Sequence, residues 1–202
     1  MKPLFSSAAL WLPCMTVSFR VTNGGKTTLC KKLSKHFENV TVFCMDNYYF
    51  PDGHPSMTLL PEFDNYANWE ELGSLDVDKL LNHVQKWKHK TRQLAEETGK
   101  TYILFIEGIM ILSHRLLYEE MDLKYFLTLP KEECWQRRSA RVYEPPEPPG
   151  YFEKICWPWY LKYLKEAEDA EDIVLISGSE DQTITCNRIF EDIHRTLKSN
   201  TS

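Results

Sequence analysis

No Cys-x-x-Cys pair and no Cys/His spacing suited to zinc occurs among the six cysteines of this 202-residue chain, Cys14, Cys30, Cys44, Cys134, Cys156 and Cys186. That excludes a metal-stapled scaffold and leaves them as reduced, mostly buried thiols. No segment has the ~20 consecutive apolar residues of a membrane span. The apolar run Pro3 to Trp11 is short and flanked by one charge, Lys2, so it is not expected to be a signal peptide, and the chain is expected in the cytoplasm. Basic residues are not in excess: 24 Lys and Arg against 29 Asp and Glu give a net charge of −5, which argues against a general binder of nucleic acid or membrane surfaces. Small molecules are the expected partners. Neither an internal repeat nor a low-complexity tail is present. A single domain over residues 1–202 is therefore expected, and a chain of this size buries roughly 70% of its unfolded surface.

Apolar runs rich in β-branched and aromatic residues recur at Met15 to Phe19, Val40 to Met45, Tyr102 to Ile106, Lys124 to Leu129 and Ile173 to Ile176. They read as buried strands. Helical spacing lies between them at Thr28 to Phe37, Asp76 to Lys88 and Glu132 to Arg141. Lys86 to Lys100 reads as an exposed helix end and connection, and Trp157 to Tyr163 as a helix packed on its aromatic face. Strands alternating with helices predict an α/β fold with a mainly parallel five-stranded sheet flanked by helices. Two stretches interrupt the alternation. Residues 50–74 hold Pro51, Gly53, Pro55, Pro61 and Gly73, and residues 145–150 are almost all proline and glycine. Irregular segments this long inside a domain are usually functional or disordered.

The run Val21-Thr22-Asn23-Gly24-Gly25-Lys26-Thr27-Thr28 follows a predicted strand and opens a predicted helix, the context that a phosphate-binding loop requires. There, successive backbone N–H groups and the helix N-terminus would meet phosphate oxygens. Lys26 would reach the β- and γ-phosphates of ATP, Thr27 would ligate Mg²⁺, and Thr28 could meet the α-phosphate. The full pattern begins with glycine five residues before the Gly-Lys pair, and here that residue is Arg20. A glycine-rich turn that binds nothing is the alternative.

Asp46 ends the second predicted strand and Glu107 follows the third. Both therefore fall at the carboxyl edge of the sheet, where open α/β sheets bind ligands. Asp46 is the candidate proton acceptor for a hydroxyl substrate, with a turn residue as the plainer reading. Glu107 could hold the metal through water, or could cap the next segment. Arg137, Arg138 and Arg141 fall on one predicted helix, either stabilising charge on a transferring phosphoryl group or forming a solvated face paired with Glu132 and Glu133. Trp69, Glu70 and Tyr143 lie in the irregular segments. They could sandwich a planar base and bind ribose, or plug a core beneath a loop.

With these residues laid out, the chain resembles the nicotinamide riboside kinases, near the uridine kinases among the phosphate-loop kinases. The likeness runs from about Val21 to about Leu197 and is carried by Val21 to Thr28, Met45-Asp-Asn-Tyr-Tyr49, Ile106-Glu-Gly108, Tyr125-Phe-Leu-Thr128, Arg137-Arg-Ser-Ala-Arg-Val-Tyr143, Pro148-Pro-Gly-Tyr-Phe152 and Trp157-Pro158 with Tyr160-Leu-Lys-Tyr163. The resemblance implies the phosphate-loop nucleoside triphosphate hydrolase fold, and ATP- and Mg²⁺-dependent phosphorylation of nicotinamide riboside, and of nicotinic acid riboside, at the ribose 5′-hydroxyl in NAD biosynthesis. It implies catalysis by Asp46, Lys26 and Arg138. ATP would meet Asn23, Gly24, Gly25, Lys26, Thr27, Thr28, Arg137, Arg141 and Tyr143, and the metal would meet Thr27, Asp46 and Glu107. Asp46, Asn47, Tyr48, Tyr49, Trp69, Glu70, Arg138, Tyr143 and Glu144 would bind the riboside, the ring between Trp69 and Tyr143. Trp69 and Glu70 stand where tyrosine and aspartate are expected, and residues 1–19 do not match the family's glycine-bearing first strand. The rival expectations are a uridine-type nucleoside kinase and a nucleotide-binding or interaction protein whose catalysis is impaired by Arg20.

Overall fold

The computed structural model describes the backbone of residues 14–20 and residues 25–199 in full. Residues 1–13 and 21–24, with the expected ATP contacts Asn23 and Gly24, lie outside the described residues. In chain order the elements are β1 (Cys14–Arg20), α1 (Lys26–Ser34), β2 (Val40–Cys44), β3 (Leu59–Leu60), β4 (Tyr66–Ala67), α2 (Val77–Thr98), β5 (Tyr102–Glu107), α3 (Arg115–Glu119), β6 (Leu123–Thr128), α4 (Lys131–Ser139), α5 (Trp157–Glu168), β7 (Ile173–Ser177) and α6 (Gln182–Ser199). Five strands form one sheet in the order β2-β5-β1-β6-β7, every pair parallel. The inner strands are apolar because helices cover both faces: Ile103 to Ile106 on β5 and Tyr125 to Leu127 on β6 are buried. At the two sheet edges, Val42 and Leu175 are exposed.

All five predicted strands are present within a residue or two. Helices depart further from the sequence reading. α2 continues ten residues past Lys88 because the polar stretch after it is made of good helix formers, and it stops where Gly99 takes a left-handed conformation and donates to the Ala95 carbonyl at 2.8 Å. α4 stops at Ser139, so Arg141 is not on the helix with Arg137 and Arg138 as the spacing predicts. α6 is absent from the sequence reading. Its start, Thr183-Ile184-Thr185, is β-branched, and its buried stripe of Cys186, Ile189 and Ile193 emerges only farther along.

α5 is entered through one turn of π-helix over Phe152–Cys156, in which the Trp157 N–H donates to the Phe152 carbonyl five residues back. Pro158, at the second position of α5, has no N–H to offer the preceding turn, which favours the wider register. Residues 50–74 are not one regular element: the β3–β4 pair and two short 3₁₀ turns are tied down by Asn68 N–H to Thr58 O at 2.8 Å and Phe50 N–H to Ser74 O at 2.9 Å. Cys30, Cys134, Cys156 and Cys186 are buried. Among the described residues no helix is long and apolar enough to cross a membrane.

β5 and the segment after β2 approach closely at Gly108. A Cβ built there would lie 2.5 Å from Met45 Sδ and 2.9 Å from its Cγ. Met45 is buried and adjoins Asp46. Gly108→Ala is therefore expected to destabilise the chain by about 1–3 kcal/mol in urea unfolding. Unchanged stability would show that the two segments are not in contact.

Candidate active site

Parallel strands deliver their carboxyl ends to one side, and the ladder registers say which residues meet there. Glu107, the last residue of β5, is level with Cys44 of β2 on one side and Phe19 of β1 on the other. Two residues beyond Cys44 comes Asp46, in a 3₁₀ segment. From the opposite direction α1 begins at Lys26 behind Gly25, whose φ of 81° is the left-handed conformation that glycine adopts without strain. The Thr27 hydroxyl donates to Glu107 Oε2 at 2.8 Å. Lys26 is held below its ordinary pKa by burial, opposed by the charges of Asp46 and Glu107 and reinforced by Arg141. Lysine, hydroxyl and two carboxylates thus share one end of the site.

Thr27, Asp46 and Glu107 fit a magnesium ion. All are hard oxygen donors, and the Thr27 proton points to Glu107, which leaves the hydroxyl's lone pairs available to a cation. Among the described residues no group of three or more His, Cys, Asp or Glu could hold a metal alone. Magnesium sites commonly rely on one or two carboxylates completed by substrate phosphates and water.

A cleft of about 570 Å³ runs from this end to the irregular segments. Lys26 and Asp46 line it, as do Tyr49, Trp69, Glu70, Arg138, Arg141, Tyr143 and Glu144. The loop at residues 50–74 is thus brought together with the loop at 141–151. Trp69 is fixed through its backbone: its N–H donates to Tyr151 Oη at 3.0 Å and its carbonyl accepts from Tyr49 Oη at 3.2 Å. Tyr49 also meets the indole edge-on at 5.6 Å. Glu70 and Arg138 are both buried and form an ion pair at 3.1 Å, and the guanidinium lies 4.9 Å from the centre of the Tyr143 ring. Burial opposes charge on Arg138, yet the Glu70 charge and the Glu147 hydrogen bond outweigh it and raise its pKa.

Several predicted residues stand elsewhere. Tyr48 is buried and its hydroxyl meets His83 Nδ1 at 2.9 Å, on the α2 side. Tyr49, and not Tyr48, lines the cleft. Asn47 is exposed and does not line the cleft, and Thr28 is exposed on α1. Arg137 pairs with Glu133 and donates to the Gly178 carbonyl at 3.2 Å, so one residue step along α4 turns it away from Arg138 toward the segment after β7. That segment, Gly178 to Gln182, also borders the start of α1: a Cβ on Gly25 would lie 2.7 Å from Gln182 Nε2. It is absent from the sequence reading, and Glu147 and Tyr151, which line the cleft from the proline-rich loop, are given no site role there.

A family model described as an AAA domain matches residues 21–173. The chain is 35% identical to nicotinamide riboside kinase 1 of Mus musculus over 184 residues, 88% of this chain and 92% of that one. Against nicotinamide riboside kinase 2 of Mus musculus the identity is 36% over 186 residues, 88% and 93% of the two chains. Among solved structures, a sugar kinase from Janibacter sp. HTCC2649 superposes with a TM-score of 0.51 at 18% identity, covering 91% of this chain and 97% of that one. At that identity the likeness shows the fold alone.

Cys44 reports on the phosphate end. Burial, then the charges of Asp46 and Glu107, push its thiol from an ordinary 9.0 to about 11. Two units leave roughly 100-fold less thiolate at about pH 8 than an ordinary thiol has. Iodoacetamide labelling of Cys44, read by mass spectrometry, should therefore stay slow to about pH 9 and accelerate toward pH 11, and faster labelling at pH 8 is expected in Glu107→Gln. Labelling of the unaltered chain at a free thiol's rate would place the carboxylates away from Cys44.

Proposed function

The chain belongs to the nicotinamide riboside kinase family, and from that premise we propose that it transfers the γ-phosphate of ATP to the ribose 5′-hydroxyl of nicotinamide riboside, yielding the mononucleotide used in NAD synthesis. It is a kinase with an alcohol group as acceptor. The observation that carries the substrate reading is the single cleft that joins Lys26 and Asp46 at one end to Glu70, Arg138 and Tyr143 at the other. Nicotinic acid riboside, with the same sugar, is proposed as a second substrate, and the cytoplasm as the compartment.

Asp46 is positioned to orient the 5′-hydroxyl and accept its proton. Lys26, whose charged form is favoured by Asp46 and Glu107 against burial, meets the β- and γ-phosphate oxygens and opposes their charge. Mg²⁺, held by Thr27 and Asp46 with Glu107 behind them, supplies further charge neutralisation when bound. Arg141, which lines the cleft and whose charge acts on Lys26, adds a cation beside the transferring group, while Arg137 serves ATP from the α4 side. Glu70 and Arg138 take the ribose hydroxyls. Trp69 and Tyr143 hold the pyridinium ring, a cation that an aromatic face attracts. Tyr49 steadies Trp69, and Glu144 borders the ring. Phosphoryl transfer needs little covalent help, so placing the hydroxyl in line with the phosphate is the main contribution of the fold.

Steady-state ADP formation with Mg-ATP tests this reading. Nicotinamide riboside should support turnover better than uridine, and Asp46→Ala should lower kcat by about 100-fold or more. Arg20→Gly, which restores the glycine at the end of β1, should lower the KM for ATP. Turnover that survives in Asp46→Ala would remove Asp46 from the chemistry. Uridine as the better substrate would move the chain to the pyrimidine nucleoside kinases.

A further inference from the structure

We propose that Glu147 is a positioning residue for the riboside: it clamps Arg138 so that Arg138 and Glu70 present a fixed donor and acceptor to the vicinal hydroxyls of a ribose. This rests on the reading of the cleft as a riboside site. Arg138 donates Nε to both oxygens of Glu147, at 2.8 and 3.1 Å, and NH2 to Glu147 Oε1 as well. The same NH2 donates to Glu70 Oε1 at 3.1 Å. Arg138 is only 6% exposed in its side chain, Glu70 6% and Glu147 17%. Two carboxylates bracket one buried guanidinium, which is more than charge neutrality requires.

The two carboxylates are held in different ways. Glu70 is anchored from beneath: its carbonyl accepts from Tyr163 Oη at 2.6 Å, its N–H donates to Asn68 Oδ1 at 3.1 Å, and Oε1 accepts from Cys156 Sγ at 3.0 Å. Glu147 stands between Pro146 and Pro148, where fixed backbone torsions leave little freedom to follow a moving arginine. The loop end is tied by Tyr151 N–H to the Pro148 carbonyl at 3.1 Å. Glu147 therefore fixes Arg138, and Arg138, stacked 4.9 Å from the Tyr143 ring centre, fixes that ring as well. With Glu147 meeting most of the guanidinium's donors on one edge, Glu70 keeps acceptor capacity for hydroxyl protons, since a carboxylate accepts about four hydrogen bonds.

Binding without turnover isolates this role. Nicotinamide riboside, uridine and 2′-deoxyuridine would each be titrated calorimetrically, without ATP, into the unaltered chain, Glu147→Gln and Glu147→Asp. In Glu147→Gln the Kd for both ribosides should weaken about tenfold or more, with 2′-deoxyuridine changed by less than about threefold and ATP unchanged. Glu147→Asp, which keeps the charge with a shorter reach, should recover part of the loss, and it carries the comparison alone if Glu147→Gln does not fold. Equal riboside affinities in the unaltered chain and the variants would overturn the proposal, as would a parallel loss for ATP or for 2′-deoxyuridine. An unaltered chain that binds uridine but not nicotinamide riboside refutes the nicotinamide reading and leaves the Glu147 comparison standing. One that binds no riboside overturns both.

Discussion

Parallel pairing obliges neighbouring strands to finish on the same side, and in this chain that constraint assembles the end of the cleft proposed to take phosphate. The pairing of β5 with both β1 and β2 puts Glu107 level with Phe19 and Cys44. Asp46 then follows within two residues of Cys44, and α1 returns with Thr27 against Glu107. Thr27 and Glu107, which meet there, are 80 residues apart in sequence. The tight approach of Gly108 to Met45 sets how closely the two carboxylate-bearing segments can lie.

The end of the cleft proposed to take the riboside is built on another principle. Its centre is a buried ion pair between Glu70, from the loop before α2, and Arg138, from the last turn of α4. Buried ion pairs seldom add net stability, because desolvating the charges costs about as much as their attraction returns. A cluster of two carboxylates, one guanidinium, a thiol and two tyrosine hydroxyls around one cleft wall is thus better explained by what it must orient. The aromatic shell of Tyr49, Tyr151 and Tyr163 lowers the polarity around it and strengthens each of those contacts.

How much of this was legible in the sequence followed from how locally each feature is encoded. The strands and the carboxylates at their ends were legible, because strand period and the carboxyl-edge rule both act over a few residues. The three arginines were not separable by spacing, since a helix turns about 100° per residue and α4 ends before Arg141. Tyr48 and Tyr49 have the same side chain one step apart, and only the Tyr49–Leu75 bridge and the position of His83 decide which faces the cleft. Glu147 was invisible: a lone acid in a proline-rich loop carries no pattern, and its partner Arg138 stands nine residues earlier on α4, a spacing that no regular element makes a contact. α6 was missed because its β-branched start obscures its period. The expected contacts at Asn23 and Gly24 lie outside the described residues.

The central claim is that the cleft places a ribose 5′-oxygen beside Asp46 and the phosphate end. The most direct test is to identify the phosphorylated atom, by phosphorus–proton correlation NMR of the product formed from Mg-ATP and nicotinamide riboside. The account predicts one phosphomonoester whose phosphorus couples to the two 5′ protons. Coupling to the 2′ or 3′ proton, or release of the γ-phosphate as inorganic phosphate with the riboside unchanged, would contradict it.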